Sequence, residues 1–310
     1  MNVNREQYFS KVLLFGEYTL LLGSKALITP FHGFSARLEC GHLENSIQHR
    51  SNKNLRGFFE YLLDHHSMFP PELKLNLEMF ESDLDNGLYL NSSVPEGYGV
   101  GSSGIVVAAI FDQYNLGFFQ SFKMDDLLKF KFFFSFMESY FHGKSSGIDP
   151  LSCYVGKPLL ISSNQTIGIT EIPSFKDSPE FGIFLLDTGK VSKTENLVQN
   201  FLSMSDTIPF REVLKNLIIP LNNQCINALI KADVQHLLEK LNQLSRLQFE
   251  HFKEMIPIDF RFIWENGFET GDYSLKLCGS GGGGFVLGFT GNYDRSISFF
   301  NKKGLKIIRL

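Results

Sequence analysis

A two-lobed protein of mixed α and β structure is what this sequence predicts, on three observations. Its 310 residues exceed what one hydrophobic core usually supports, since single cores seldom grow past ~250–300 residues. Hydrophobic residues make up 43% of the chain, which suits a packed interior and argues against disorder. Strand-like and helix-like runs occur in both halves, and one glycine-rich stretch joins a strand to an apolar segment.

The elements read as follows in chain order. Lys11-Val12-Leu13-Leu14-Phe15 is a buried strand that breaks at Gly16. Thr19–Leu22 and Ala26–Ile28 read as short β segments around a Gly23-Ser24-Lys25 turn, and Phe34–Leu38 as another strand. Lys11 at the strand's mouth and Glu17 just past its end bracket a pocket in one reading; in the other, Lys11 is an exposed edge lysine. Leu55–Leu63 is helical, with His65 and His66 as solvated caps on its end rather than metal ligands. Leu73–Phe80 and Gly87–Leu90 alternate as strands do, and the second delivers the chain to the glycine-rich stretch.

That stretch runs Pro95-Glu96-Gly97-Tyr98-Gly99-Val100-Gly101-Ser102-Ser103-Gly104. Three alternate glycines let backbone N–H groups approach a ligand closely. The continuous apolar run Ile105–Phe111 that follows reads as a buried helix, with a strand the alternative on periodicity alone. A glycine turn opening a helix gathers free N–H donors at the positive end of the helix dipole, which suits phosphate. Ser102 or Ser103 then faces a magnesium ion carried by that phosphate. Gly99 to Gly104 also satisfies G-x-G-x-x-G, but the acids at the Rossmann distance, Asp125 and Asp126, begin another helix instead of ending a strand. The Walker pattern is absent.

Leu127–Met137 is apolar nearly all round, as in a helix buried on most faces. Glu138 in its last turns is disfavoured both by apolar surroundings and by the negative end of the dipole, and a bound cation would remove both objections. The alternative puts Glu138 on a narrow solvated stripe with Lys131. His142–Pro150 is a turn-rich loop ending in Asp149, whose backbone Pro150 biases towards extended. Asp149 is a general base in one reading and a turn aspartate bonded to its own backbone in the other.

In the second half Leu159–Ser162 and Phe181–Asp187 read as strands, and Glu195–Leu202, Phe210–Ile218, Asn223–Lys231 and Asp233–His251 as helices. Tyr273–Cys278 is a strand entering Gly279-Ser280-Gly281-Gly282-Gly283-Gly284, and Phe285–Phe289 leaves as the next. A plain hairpin needs two glycines, so this run points to close approach of a ligand.

Composition narrows the partners. A net charge of −4 suggests no electrostatic capture of nucleic acid. The 32 phenylalanines fill the core, and some shape a pocket. Cys40, Cys153, Cys225 and Cys278 form no CxxC pair, so neither zinc nor a disulfide framework is indicated. Met1–Ser10 is polar and no apolar run reaches ~18 residues, so neither a signal peptide nor a membrane span is expected, and a cytoplasmic location follows.

Taken together, the pieces resemble the GHMP kinase superfamily (galacto-, homoserine, mevalonate and phosphomevalonate kinases), and the mevalonate kinases most. That family's P-x-G-x-G-L-G-S-S-A loop is matched from Pro95 to Gly104, with Val100 for Leu and Gly104 for Ala. Its G-K-V-x-L-x-G-E-H-x-V-x-x-G pattern is matched from Lys11 through Gly16-Glu17 to Gly23, with Ser10 for the leading Gly and Tyr18 for His. E-x-x-x-H-G-x-x-S-G-x-D is matched by Glu138, His142, Gly143, Ser146, Gly147 and Asp149, and K-L-T-G-x-G-G-G-G from Lys276 to Gly284 with Cys278 for Thr.

The resemblance implies a GHMP kinase fold, mixed α+β, with a ribosomal S5 domain 2-like N-terminal lobe over residues 1–158 and a ferredoxin-like C-terminal lobe over 159–310, the active site between them. It implies ATP and Mg²⁺ as cofactors, and transfer of the γ-phosphoryl group to a small alcohol such as mevalonate. Pro95, Gly97, Gly99, Val100, Gly101, Ser102, Ser103 and Gly104 would hold the nucleotide, and Ser103 and Glu138 the metal. Asp149 would take the proton of the substrate hydroxyl and Lys11 would stabilise charge there, with Glu17, Tyr18, Ser146, Gly279, Ser280 and Gly281 on the substrate. A homodimer fits the family. Asp149 disfavours a homoserine kinase, the missing E-H-T-D after the first strand disfavours a galactokinase, and the H-G-x-x-S-G pattern disfavours mevalonate diphosphate decarboxylase. Phosphomevalonate kinase is the nearest rival, because Tyr18 echoes its G-E-Y form. A nucleotide-binding regulator without catalysis is the alternative of a different class.

Overall fold

The computed structural model describes residues 6–117, 123–163, 166–176, 178–192 and 194–310. Residues 1–5 of the polar N-terminal segment lie outside the described residues. The architecture is mixed α+β, as the sequence predicts, with two antiparallel sheets and many helices. The first sheet is built from β1 (Tyr8–Phe15), β2 (Ala26–Glu39), β3 (Tyr89–Ser92), β4 (Leu159–Ile161) and β5 (Ile167–Ile169), in the order β1-β2-β4-β5 with β3 also paired to β2. The second is built from β6 (Gly182–Asp187), β7 (Tyr273–Leu277), β8 (Phe285–Thr290) and β9 (Ile307–Arg309), in the order β7-β8-β6-β9.

The chain forms two compact units that interleave along the sequence. Unit 1 takes residues 1–11, 30–94 and 101–157; unit 2 takes 12–29, 95–100 and 158–310. They are therefore not two contiguous stretches. The reason is local pairing: the start of β2 (Ala26–Ile28) pairs with β4 in unit 2, whereas its end (Ala36–Glu39) pairs with β3 in unit 1.

Unit 1 carries α1 (Ser46–Asp64), α2 (Leu77–Asp85), α3 (Ser102–Tyr114), α4 (Met124–His142) and α5 (Ile148–Val155). The run after the glycine loop is thus a helix, α3, buried on nearly every side from Gly104 to Phe111. Phe111 is its centre, meeting the rings of Phe130, Phe133, Phe134 and Tyr154 edge-on at 5.0–5.7 Å. Such pairs add about 0.5–1.5 kcal/mol each beyond their buried area. Local capping fixes the other ends. Asn45 accepts from the N–H groups of Ile47 and Gln48 to start α1, and the His65 and His66 rings bond the Tyr61 and Leu63 carbonyls at its close.

Unit 2 carries α6 (Thr194–Ser205), α7 (Ile208–Val213), α8 (Ile219–Ile230), α9 (Val234–His251), α10 (Arg261–Thr270) and α11 (Tyr293–Lys302). A π-helical turn, Leu214–Ile218, joins α7 to α8 just before Pro220. Proline has no N–H for the carbonyl one turn back, and a widened turn is a usual way to absorb that break. Along α9, Leu237, Leu241, Leu244, Ser245 and Gln248 are buried, the spacing of one helix face. Gln248 there accepts from the Leu277 N–H at 2.9 Å, pinning the end of β7.

Some readings from sequence change. Thr19–Leu22 is a 3₁₀ turn, not a β segment, because the Leu21 and Gly23 N–H groups bond back three residues to the Tyr18 and Leu20 carbonyls. Ala26–Ile28 and Phe34–Leu38 belong to one long strand, β2. The alternating Leu73–Phe80 is not a strand: Asn76 accepts from the Met79 N–H and starts α2, leaving one bridge, Leu75 to Asn115. Asp149 lies in the first turn of α5, not in an extended loop, and Pro150 follows it inside that turn. Proline is tolerated there because the first-turn N–H groups lack helical partners anyway.

Candidate active site

In unit 1 the start of α3, the last turns of α4 and the start of α5 bring Ser103, Glu138 and Asp149 together with Lys11 of β1. The first ingredient is the turn into α3. Gly101 has φ +86°, and a Cβ there would lie 3.0 Å from Lys11 Cγ. Glycine takes this left-handed turn without strain and leaves room for the lysine stem against it. At Gly104 a Cβ would lie 2.9 Å from both the Asp149 carbonyl carbon and the Pro150 nitrogen. The bare backbone at Gly104 therefore lets α3 and α5 touch main chain to main chain, setting Asp149 beside the N-terminus of α3. Gly101 O accepts from the Ile105 N–H at 3.0 Å, so the N–H groups of Ser102, Ser103 and Gly104 lie ahead of the first bond of the helical ladder.

Lys11 Nζ meets Asp149 Oδ2 at 2.8 Å. The lysine is buried, which removes the reading as an edge lysine. Glu138 is also buried, so it is not on a solvated stripe. Its Oε1 accepts from Ser103 Oγ at 2.8 Å and its Oε2 from Ser145 Oγ. Burial, and then the nearby Asp149 carboxylate, push the Glu138 carboxyl up to about 7, against the pull of the two hydroxyls and Lys11. Burial likewise raises the Cys153 thiol, one helical turn after Asp149, which keeps it neutral.

A carboxylate and hydroxyls are hard oxygen donors of the kind magnesium accepts when phosphates and water complete its shell. The residues present therefore fit that ion. Among the described residues no three His, Cys, Asp or Glu side chains converge as a ready-made metal cluster.

Unit 2 holds the other glycine-rich segments. In the strap Pro95–Val100, Gly97 O accepts from the Ser192 N–H at 3.0 Å and the Tyr98 ring meets Phe285 edge-on at 5.1 Å. The strap passes Cys278 so closely that a Cβ on Gly99 would lie 3.2 Å from its carbonyl oxygen. The loop from Gly279 to Gly284 is tied down at several points: Gly282 N–H to Met255 O at 2.6 Å, and Gly284 O to the Thr188 hydroxyl at 2.7 Å.

Glu17 and Tyr18, expected on substrate, have partners within unit 2. Glu17 Oε1 accepts from Lys276 Nζ at 2.5 Å, and both side chains are buried. Tyr18, at φ +61°, donates its hydroxyl to Ser280 O at 2.5 Å and stacks on Phe201 at 4.6 Å. Ser146 is exposed, and its hydroxyl accepts from Ile148 N–H at 3.4 Å. The neighbouring Ser145 reaches Glu138 instead, a role the motif spacing does not reveal. His142 was also without a role in sequence; its Nε2 lies 3.0 Å from Ser103 Oγ. The signal was present, since Glu138 and His142 are four residues apart on α4 and share a face.

No protein-family model matches the chain, and no curated protein matches it by sequence. Comparison of folds gives extensive matches. The L. major mevalonate kinase in complex with R-mevalonate is 19% identical, with a TM-score of 0.65 over 98% of this chain and 94% of that one. The Streptococcus pneumoniae phosphomevalonate kinase, solved with phosphomevalonate and AMPPNP, is 16% identical, with a TM-score of 0.61 over 98% and 99%. The Lactococcus lactis galactokinase complexed with galactose is 12% identical, with a TM-score of 0.63 over 98% and 92%. With two antiparallel sheets, a glycine turn into a buried helix and near-complete overlap with three such kinases, this chain has the fold of the GHMP kinases.

Proposed function

We propose that the chain is an ATP-dependent kinase that transfers the γ-phosphoryl group to a small alcohol, with mevalonate the preferred acceptor. The observation that carries this reading is the unit 1 cluster, in which the Lys11–Asp149 pair and the Ser103–Glu138 bond flank the N-terminus of α3. Phosphoryl transfer is mostly positioning and charge neutralisation, so it asks for donors, a metal site and one base, with no covalent nucleophile. The α3 N-terminus offers N–H donors at the positive end of a dipole, suited to phosphate oxygens.

Asp149 takes the proton of the acceptor hydroxyl as its oxygen bonds to the γ-phosphorus and the bond to the β-phosphate oxygen breaks, leaving ADP. Lys11 holds that carboxylate in place and offsets charge on the acceptor oxygen. When bound, Mg²⁺ supplies neutralisation of the phosphate charge, with Ser103 and Glu138 the residues that would hold it. Mevalonate is favoured by the E-x-x-x-H-G-x-x-S-G-x-D residues Glu138 to Asp149 and by likeness to the L. major enzyme. Phosphomevalonate is the second reading, supported by Tyr18 and by likeness to the S. pneumoniae enzyme over almost the whole of both chains.

The test is ADP release from Mg²⁺-ATP with mevalonate, phosphomevalonate, galactose and homoserine in parallel. Turnover with mevalonate well above the other three is the expected result. ATP binding without ADP release on any acceptor would replace this reading by that of a nucleotide-binding regulator.

A further inference from the structure

Resting on the kinase reading above, we propose that His142 is a positioning residue: its ring nitrogen accepts the Ser103 hydroxyl proton, so that Ser103 Oγ and Glu138 can face one divalent cation together. A serine hydroxyl has one proton and two lone pairs. Ser103 Oγ lies 2.8 Å from Glu138 Oε1 and 3.0 Å from His142 Nε2. With the proton given to Glu138, the His142 Nε2 must carry a hydrogen and donate. That arrangement leaves Glu138 Oε1 covered by a hydroxyl proton, while Ser145 covers Oε2.

A hydroxyl that ligates a cation presents a lone pair and turns its proton away. Turning the proton away from Glu138 Oε1 leaves that carboxylate oxygen uncovered to face the same charge. The proton needs an acceptor already within reach, and His142 Nε2 is one once the ring holds its proton on Nδ1 instead. The exchange is balanced: Nε2 gives a proton to water, Nδ1 takes one from water, and the ring's charge is unchanged. It is also accessible, because His142 is exposed and its ring reaches solvent. Glu138 and His142 stand one turn apart on α4, and Gly143 ends that helix at once with φ +70°, so both side chains are aimed from a fixed helix end at one hydroxyl.

The experiment uses the full chain with ADP and reads Mn²⁺ binding by electron paramagnetic resonance, in wild type and in His142→Ala, His142→Lys and His142→Gln. Thermal melting of each variant reports folding independently. Alanine removes the acceptor, lysine offers only donors, and the glutamine amide oxygen can accept. Mn²⁺ affinity is expected to fall about three- to tenfold in the alanine and lysine variants, the worth of one hydrogen bond, and to return most of the way in the glutamine variant. ADP affinity without metal should be unchanged in the alanine and glutamine variants. Wild-type Mn²⁺ affinity in the alanine and lysine variants, or an equal loss in the glutamine variant, overturns the role of His142 and leaves the kinase reading standing. If wild type with ADP holds no more Mn²⁺ than ADP alone, the kinase reading falls, and this inference with it.

Discussion

Lys11 and Asp149 meet at 2.8 Å with unequal exposure, the lysine side chain at 4% and the aspartate at 38%. The cation is fixed by burial while its partner still reaches solvent. Burying the fixed charge and exposing the other suits a base that must meet an incoming hydroxyl without losing its orientation. Because the carboxylate is well exposed, solvent screens part of the attraction, and the pair contributes more to placement than to stability.

Asp149→Asn keeps the shape of that side chain but cannot accept a proton. Turnover per folded molecule should fall about 10²–10⁴-fold, the usual worth of general-base help, with ATP affinity little changed. Measuring kcat and the folded fraction on one preparation checks this, and full activity per folded molecule would end the base assignment.

Glu138 gives a pH prediction for the apo protein in chelator. Its folded carboxyl lies at about 7, raised from 4.5, so the folded state holds the proton more tightly than the unfolded one. The stabilising contribution is complete below the unfolded value and is lost as pH rises through the folded one. Glu138→Gln stays neutral, so its melting temperature should gain on wild type between about pH 4.5 and 7.5, by the equivalent of a few kcal/mol at most. Parallel melting curves of the two proteins across that range would exclude it.

Gly101→Ala places a methyl group in a left-handed backbone against Lys11. A cost of about 1–3 kcal/mol is expected from the backbone alone, with weaker ATP binding because Lys11 and the α3 entrance shift. Gly168→Ala is the control, since it lies in β5 with open space and no positive φ; it should be neutral or slightly stabilising. Denaturant unfolding and ATP calorimetry on both variants test the contrast.

The buried Glu17–Lys276 pair should behave as one unit. Glu17→Gln or Lys276→Met alone leaves a buried charge facing a neutral partner, a loss of about 3–5 kcal/mol. The double variant should lose clearly less than the sum. Strictly additive losses in a double-mutant cycle would show that the two charges do not support each other.

Much of the fold was legible because it is local. The apolar run after Ser103 reads as α3, and the strands around the C-terminal glycines read as β7 and β8. Leu73–Phe80 misled because leucines at alternate positions mimic a strand, while one side-chain bond at Asn76 decides for helix. The burial of Glu138 was undecidable by periodicity, since α4 is apolar nearly all round and gives no polar stripe to exclude it from. The engagement of Glu17 with Lys276 spans 259 positions, beyond any local pattern.

The interleaving of the two units has a consequence for biosynthesis. The chain crosses from one unit to the other at five places, the last between Lys157 and Pro158. A ribosome that has released residues 1–157 has released Lys11, Ser103, Glu138 and Asp149. It has not yet made Ser192, Cys278 or Gly284, against which Gly97, Gly99 and Tyr98 of the strap lie. The strap must therefore wait for chain made more than ninety positions later, and closing such distant contacts is slow. The two ends of one ten-residue motif are thus completed at different moments, so a truncated chain or a stalled ribosome should present α3 without its finished strap.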